Sequence, residues 1–270
     1  MITSASNQKI KHVTALISSK KERMGSGSFV IEGTKMFLEA DIKSIDEVFI
    51  SESFILRLEG GNENKLSDVL LDVFNKLKIT GFEIVSDAVF KKMSDTVTPQ
   101  GILSIIKINN IGLEDILKEY DGKPIKVVAL EGLQDPGNMG TIVRTAEAAG
   151  IDLILAGANT VDVYSSKVVR STMGSIFRVP IIYTDKLYKD IDLLKSKGVS
   201  VYAAHLKGKE SYRDITYSDR SMILIGNEGR GLTEEAVSSA DTLVKIPMKG
   251  RVESLNAAVA AAILMFETCR

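Results

Sequence analysis

From residue 124 onward, short apolar runs alternate with helix-patterned stretches, and this rhythm restricts the fold more than any other feature of the 270-residue chain. Strands are expected at residues 126–131, 153–156, 178–183, 200–204, 221–226 and 242–246. Helices are expected at 141–149, 166–175, 187–197, 234–240 and 254–267. Strands that are apolar along their whole length, rather than at every second residue, are buried on both faces. The expected architecture is therefore an α/β domain with a mostly parallel, fully covered sheet. Ligands of such sheets sit beyond the carboxyl ends of the strands, so the loops leaving those ends are where chemistry is sought.

The first part of the chain reads as a smaller α/β module. Strands are expected at 29–33, 47–50, 82–85 and 101–108, with a surface helix over 6–23, a helix over 34–40 capped by Thr34, and a helical turn at 87–93. A polar loop at 60–65 leads to an amphipathic stretch with Leu66, Val69, Leu70, Val73 and Leu77 on one side. Asn109-Asn110, Gly112 and Asp121-Gly122-Lys123-Pro124 mark a boundary. The expected division is a first domain of residues 1–108, a helical linker of 109–123 and a second domain of 124–270.

Charge and composition exclude several classes. The formal net charge is −1, so no global basicity points to nucleic acid and any basic surface must be local. Lys9, Lys11, Lys20, Lys21 and Arg23 are opposed in sequence only by Glu22; they read either as a solvated face or as a phosphate-binding arm. One cysteine, Cys269, and two distant histidines, His12 and His205, give neither a disulfide framework nor metal-ligand spacing, so no metal is expected. Residues 1–11 lack a signal-peptide core, and no apolar run reaches membrane-spanning length. The expected protein is soluble and cytoplasmic, with no membrane partner.

Three loops leave expected strands at their carboxyl ends. The first runs from Leu130 to Gly140 and enters a helix carrying Arg144; Gly137 and Gly140 allow close approach of the backbone, and Asn138 lies between them. The second, Ile225-Gly226-Asn227-Glu228-Gly229-Arg230-Gly231-Leu232, holds more glycine than a simple turn needs. The third runs from Ile246 to Asn256 and opens an alanine-rich helix, with Ser254 readable as its N-cap. Leu255, Val259, Ile263 and Phe266 share one face of that helix and alanines fill most of the others. A helix this apolar all round is buried or packed on a second chain. The loops offer no cysteine or histidine nucleophile, which disfavours hydrolysis by a Ser-His-Asp arrangement. The absence of a dinucleotide fingerprint or phosphate-loop lysine disfavours a dehydrogenase or another nucleotide enzyme. What remains is a site that binds a polar cofactor and positions an oxygen nucleophile.

The stretches Asp135-Pro136-Gly137-Asn138-Met139-Gly140-Thr141-Ile142-Val143-Arg144-Thr145-Ala146, Ile225 to Leu232, and Ile246-Pro247-Met248 through Glu253-Ser254-Leu255-Asn256-Ala257 resemble, in order and spacing, the three motifs of the SpoU (TrmH-like) RNA ribose 2′-O-methyltransferases of the SPOUT superfamily. Phe29-Val30-Ile31-Glu32-Gly33 and Thr98-Pro99-Gln100-Gly101-Ile102 resemble that family's substrate-binding domain, a small ribosomal-protein-like RNA-binding module. One departure is Ser166, where many relatives have proline. The resemblance implies a C-terminal SPOUT-type parallel sheet threaded as a trefoil knot. It implies S-adenosyl-L-methionine held by backbone groups near Gly226, Ile246 and Leu255, and a homodimer. It credits Arg144 with activating the ribose hydroxyl, or with clamping the neighbouring phosphate, and places Asn138, Glu228, Ser254 and Asn256 around it. Asn138 would orient Arg144 or the ribose; Glu228 would order the second loop or hold Arg144. The implied partner is RNA, ribosomal first and transfer RNA second. The alternative is a non-catalytic RNA-binding protein of the same fold.

Overall fold

In the computed structural model, which describes residues 1–60 and 67–270, the chain divides into one unit of Met1–Asn110 with Tyr164–Phe177 and another of Ile111–Val163 with Arg178–Arg270. The first is built on four strands, β1 (Ser28–Glu32), β2 (Ile45–Ser51), β3 (Glu83–Val85) and β4 (Ile102–Lys107), in the order β1-β4-β2-β3. Strand β4 runs antiparallel to both β1 and β2, while β2 and β3 are parallel.

Side chains alternate along these strands and so feed two cores. Phe49, Leu103 and Ile105 pack with Ile10, Val13, Leu16, Phe90 and Met93 on one face. Val48, Ile50 and Ile102 pack with Phe37, Phe54, Leu58, Val73 and Leu77 on the other. The helix Glu52–Gly60, which supplies Phe54, Ile55 and Leu58, has no clear signal in the sequence. Where an amphipathic stretch is expected over 66–77, the helix is Asp68–Thr80, and Val69 lies 51% exposed rather than on the core side. The expected polar loop from Gly61 onward, and Leu66, lie outside the described residues.

The expected helix over 6–23 is two helices, Gln8–Ser18 and Lys20–Ser26, because Ser19 leaves helical geometry and caps the second through its hydroxyl. The basic arm also differs from its sequence reading. Lys9 pairs with Glu47 at 3.0 Å and Glu83 at 2.9 Å. Arg23 is buried and donates to the carbonyls of Leu16 and Ile17. Lys9 and Arg23 are thus committed to holding the unit together. Thr34 does not cap its own helix, Thr34–Glu39. Gly33 is the N-cap, with φ +103°, and the Gln100 side chain accepts from the Thr34 amide at 3.2 Å. The segment Tyr164–Phe177, grouped with the C-terminal domain by sequence, belongs to this unit. Its Tyr164 ring lies 4.9 Å from that of Phe29, and Arg170 pairs with Asp95 at 3.1 Å. Ser165 is the N-cap of helix Ser166–Thr172, so Ser166 occupies the first helical position.

The second unit carries seven strands: β5 (Ile125–Leu130), β6 (Leu153–Gly157), β7 (Ile181–Thr184), β8 (Ser200–Ala204), β9 (Glu210–Ser211), β10 (Arg220–Ile225) and β11 (Thr242–Lys245). They lie in the order β7-β6-β5-β10-β8-β11-β9, with every pair parallel. The short β9 is the one strand not expected from sequence. Val127, Ala129, Leu155, Val201, Met222 and Leu224 form a core on one face, joined by Ile116 and Leu117 of the helix Leu113–Glu119 from the stretch read as a linker. Val128, Leu130, Ile154, Ile223 and Ile225 are equally buried, so both faces are covered. The helices Pro136–Ala149 and Ala257–Thr268 pack against each other, the latter also against β10. Strands β6 and β7 extend the sheet on one side of β5, and β10 and β8 lie on the other. The topological switch therefore falls between β5 and β10, where a crevice opens at the carboxyl ends. No described helix is long and apolar enough to cross a membrane.

Phe49 is fully buried in the first core. Its replacement by alanine should lower the stability of the N-terminal unit by about 3–5 kcal/mol, read as a downward shift of that unit's urea midpoint. An unshifted midpoint would mean that the cavity collapses without cost.

Candidate active site

The loops after β5 and β10 leave neighbouring strands, and each is shaped by its own sequence before it meets the other. In the first, the helix starts at Pro136, five residues earlier than periodicity suggests. Asp135 is the N-cap and its Oδ1 accepts from the Asn138 amide at 2.8 Å; Pro136 suits the first helical position because no N–H is needed there. In the second, Asn227 and Gly231 exchange backbone hydrogen bonds of 3.1 and 2.9 Å. The Asn227 side chain accepts from the amides of Gly229 and Arg230, both at 3.0 Å, and donates to the Gly132 carbonyl at 2.8 Å. Only glycine fits at 226: a β-carbon there would lie 2.3 Å from the carbonyl carbon of Gly231.

The third loop ends at Asn256, which is the N-cap of helix Ala257–Thr268 in place of Ser254. Its Oδ1 accepts from the amides of Ala258 and Val259 at 2.9 and 3.3 Å. Its Nδ2 donates to Asn138 Oδ1 at 2.9 Å. Asn138 is buried and passes the connection on, donating from Nδ2 to Glu228 Oε1 at 3.0 Å. Glu228 also accepts from the amides of Asp135 at 2.9 Å and Gln134 at 3.1 Å. A continuous hydrogen-bonded chain, Glu228–Asn138–Asn256, thus ties all three loops together.

The second and third loops and the ends of β8, β10 and β11 line a cavity of about 390 Å³. Of the residues singled out by sequence, Gly226, Glu228, Ile246, Ser254 and Leu255 line it, and Asn138 and Asn256 brace its rim. Arg144 lies on the exposed side of its helix and takes part in no ion pair among the described residues. Glu228 bonds to the first loop and not to Arg144. Sequence reading missed the positioning roles of Asn227 and Asp135. It also left His205 aside, although His205 lines the cavity with its Nδ1 held by the Lys207 amide at 3.1 Å. An Asx-turn signal could have found the first two; finding His205 required knowing that β8 neighbours β10.

Burial disfavours a charged Glu228, but the Asp135 amide, the Asn138 side chain and the Gln134 amide outweigh it and hold the carboxyl below the usual glutamate range. A carboxyl depressed in this way contributes its full stabilisation above the unfolded-chain value of about 4.3 and loses it as pH falls through the folded value. The melting temperature of Glu228→Gln should therefore fall less steeply between about pH 5 and pH 3 than that of the wild type. Identical slopes would show that the carboxylate is not held by these donors.

Comparison with known proteins agrees with this geometry. Residues 126–266 match the SpoU rRNA Methylase family and residues 7–104 the MRM3-like substrate binding domain. The chain is 33% identical over 98% of its length, and 97% of the relative's, to the 23S rRNA (guanosine(2553)-2′-O)-methyltransferase RlmP of Bacillus subtilis. Among solved structures, an rRNA methyltransferase from Sinorhizobium meliloti aligns with a TM-score of 0.81 at 32% identity. The AdoMet-bound form of the Sinorhizobium protein aligns at 0.80 and 33%, each covering 99% of this chain and 96% of the other. With three loops joined as described and a relative matched along almost its whole length, the protein belongs to the SpoU rRNA methylase family.

Proposed function

We propose that this protein transfers a methyl group from S-adenosyl-L-methionine to a ribose 2′-hydroxyl of RNA, and that the RNA is ribosomal. The observation that carries this is the Glu228–Asn138–Asn256 chain, which ties the three loops together beside a cavity at the carboxyl ends of β8, β10 and β11. The likeness to the Bacillus subtilis enzyme over nearly the whole chain supports the ribosomal substrate.

The cavity fits the cofactor. Its volume of about 390 Å³ lies in the range of small-ligand sites. Leu232, Val244, Ile246 and Leu255 offer apolar walls for an adenine ring, and the glycine at 226 lets bare backbone line the cavity floor. Gly226, Ile246 and Leu255 would hold the cofactor, with the threaded C-terminal segment characteristic of the family wrapped around it. When bound, S-adenosyl-L-methionine supplies an electrophilic sulfonium methyl.

The residues of this chain must then bring up an oxygen and stabilise it while its proton passes to solvent, because a ribose hydroxyl is a weak nucleophile until the proton leaves. Arg144 is the candidate. Its guanidinium is exposed and free of ion pairs among the described residues, so it is available to an incoming polyanion. An arginine stays protonated in proteins, so its part is to clamp the adjacent phosphate and stabilise negative charge developing on the oxygen. Ser254 and Asn256 shape the third loop around both reactants. The N-terminal unit grips the RNA by shape and phosphate contacts, with Lys11 and Lys21 as exposed cations of the arm.

A second copy of the chain completes the assembly in this reading. The helix Ala257–Thr268 buries Ala258, Ala261, Leu264 and Met265 within its own unit but leaves Val259 47% and Phe266 55% exposed on another face. That apolar stripe suits a homodimer contact. The cytoplasm is where ribosomal RNA would be met.

Methyl transfer from labelled cofactor to unmodified ribosomal RNA, with mapping of methylated riboses, tests the function; absence of any ribose methylation would remove it. Arg144→Ala should lower turnover by at least about 100-fold while the calorimetric Kd for S-adenosyl-L-methionine stays within about twofold of wild type. Near wild-type turnover would take Arg144 out of the mechanism.

A further inference from the structure

A second and larger cleft, of about 1180 Å³, opens where β5, β6 and β7 end and the helix Leu187–Ser196 begins. Asn227, Arg230 and Gly231 line both this cleft and the smaller cavity, so one hairpin forms a wall of each. Apart from that hairpin and the first-loop residues Gly132 and Gln134, whose backbone groups bond to Asn227 and Glu228, its lining is separate from the site described above.

Three cations line the cleft, Lys186, Lys189 and Arg230. All three are exposed, and none takes part in an ion pair among the described residues. Three carboxylates face them, but they are not equivalent. Glu131 is already committed: it accepts from the Thr233 amide at 2.9 Å, from the Thr233 hydroxyl at 2.7 Å and from the Tyr188 hydroxyl. Asp185 and Glu235 are exposed, and Asn159 adds an exposed side-chain amide. Three positive and three negative side chains leave the cleft without net charge, so it would not attract a polyanion by field alone. Unpaired cations match phosphate oxygens, while a carboxylate and an amide match the amino groups and ring acceptors of a base edge. The ligand that uses both sets is a nucleotide within a strand.

We propose that this cleft is a subsite for the nucleotide next in the RNA strand to the one being methylated. Its phosphate meets Lys186, Lys189 and Arg230, and its base edge meets Asp185 and Asn159. The wall shared with the cofactor cavity is what makes adjacency the natural register: a strand crossing the Asn227–Gly231 hairpin presents one ribose to the cavity and its neighbour to the cleft. The inference rests on RNA ribose methylation as the function and adds to it a place where the sequence context of the target is read.

The test is the double charge reversal Lys186→Glu with Lys189→Glu in the full-length protein, assayed on unmodified 23S ribosomal RNA transcribed in vitro. Arg230 is left intact because it also lines the cofactor cavity. The KM for RNA should rise by at least about tenfold, and the dependence of log affinity on log salt should become shallower by about two. The turnover number and the Kd for S-adenosyl-L-methionine should stay within about twofold, and Lys186→Arg with Lys189→Arg should restore the RNA affinity. An unchanged KM and salt slope in the reversed variant, with wild-type protein active, would overturn the subsite alone. Wild-type protein that neither binds nor methylates RNA would overturn the proposed function and the subsite with it.

Discussion

The side chain of Asn138 is the joint on which the site depends. An amide carries a donor at one corner and an acceptor at the other, and here the donor holds Glu228 while the acceptor holds Asn256. No isosteric replacement keeps both: aspartate would set a second carboxylate against Glu228, and leucine would remove both hydrogen bonds, at a cost of about 0.5–1.5 kcal/mol each. Asn256 is in turn the cap of the last helix, and Glu228 the anchor of two backbone amides in the first loop. The start of a helix, the wall of a cavity and the seating of a loop therefore share one network. Networks of this kind are rigid when every member is satisfied and loosen together when one is not.

That network can exist because of the strand order. Strand β10 lies between β5 and β8, so loops more than ninety residues apart in sequence leave adjacent strands in the same direction. Parallel pairing places their carboxyl ends side by side, and the reversal of order between β5 and β10 keeps the crevice there from being filled by a crossover helix. The third loop arrives from β11, separated from β10 by β8, and reaches the others through the packing of the last helix on Pro136–Ala149.

The N-terminal unit shows how far local pattern reaches. Alternation along β2 and β4 sends Phe49, Leu103 and Ile105 to one core and Val48, Ile50 and Ile102 to the other, as a period of two requires. The same reading treats Lys9 and Arg23 as free charges because their partners, Glu47, Glu83 and the carbonyls of Leu16 and Ile17, are not marked as such in the sequence. Helix Glu52–Gly60 escapes notice since its apolar residues follow β2 directly, with no glycine or proline between them.

Sequence alone determined the α/β class, most strand and helix positions, and the three polar loops, because hydrophobic periodicity and glycine placement are local properties. Its motifs also pointed to the family. Only the tertiary structure decided that Asn256 rather than Ser254 caps the last helix, that Glu228 bonds to the first loop and not to Arg144, and that His205 shares the cavity. Each of these turns on which of several competent donors and acceptors are brought within about 3 Å of each other, and the order of strands in the sheet fixes that distance, not the order of residues in the chain.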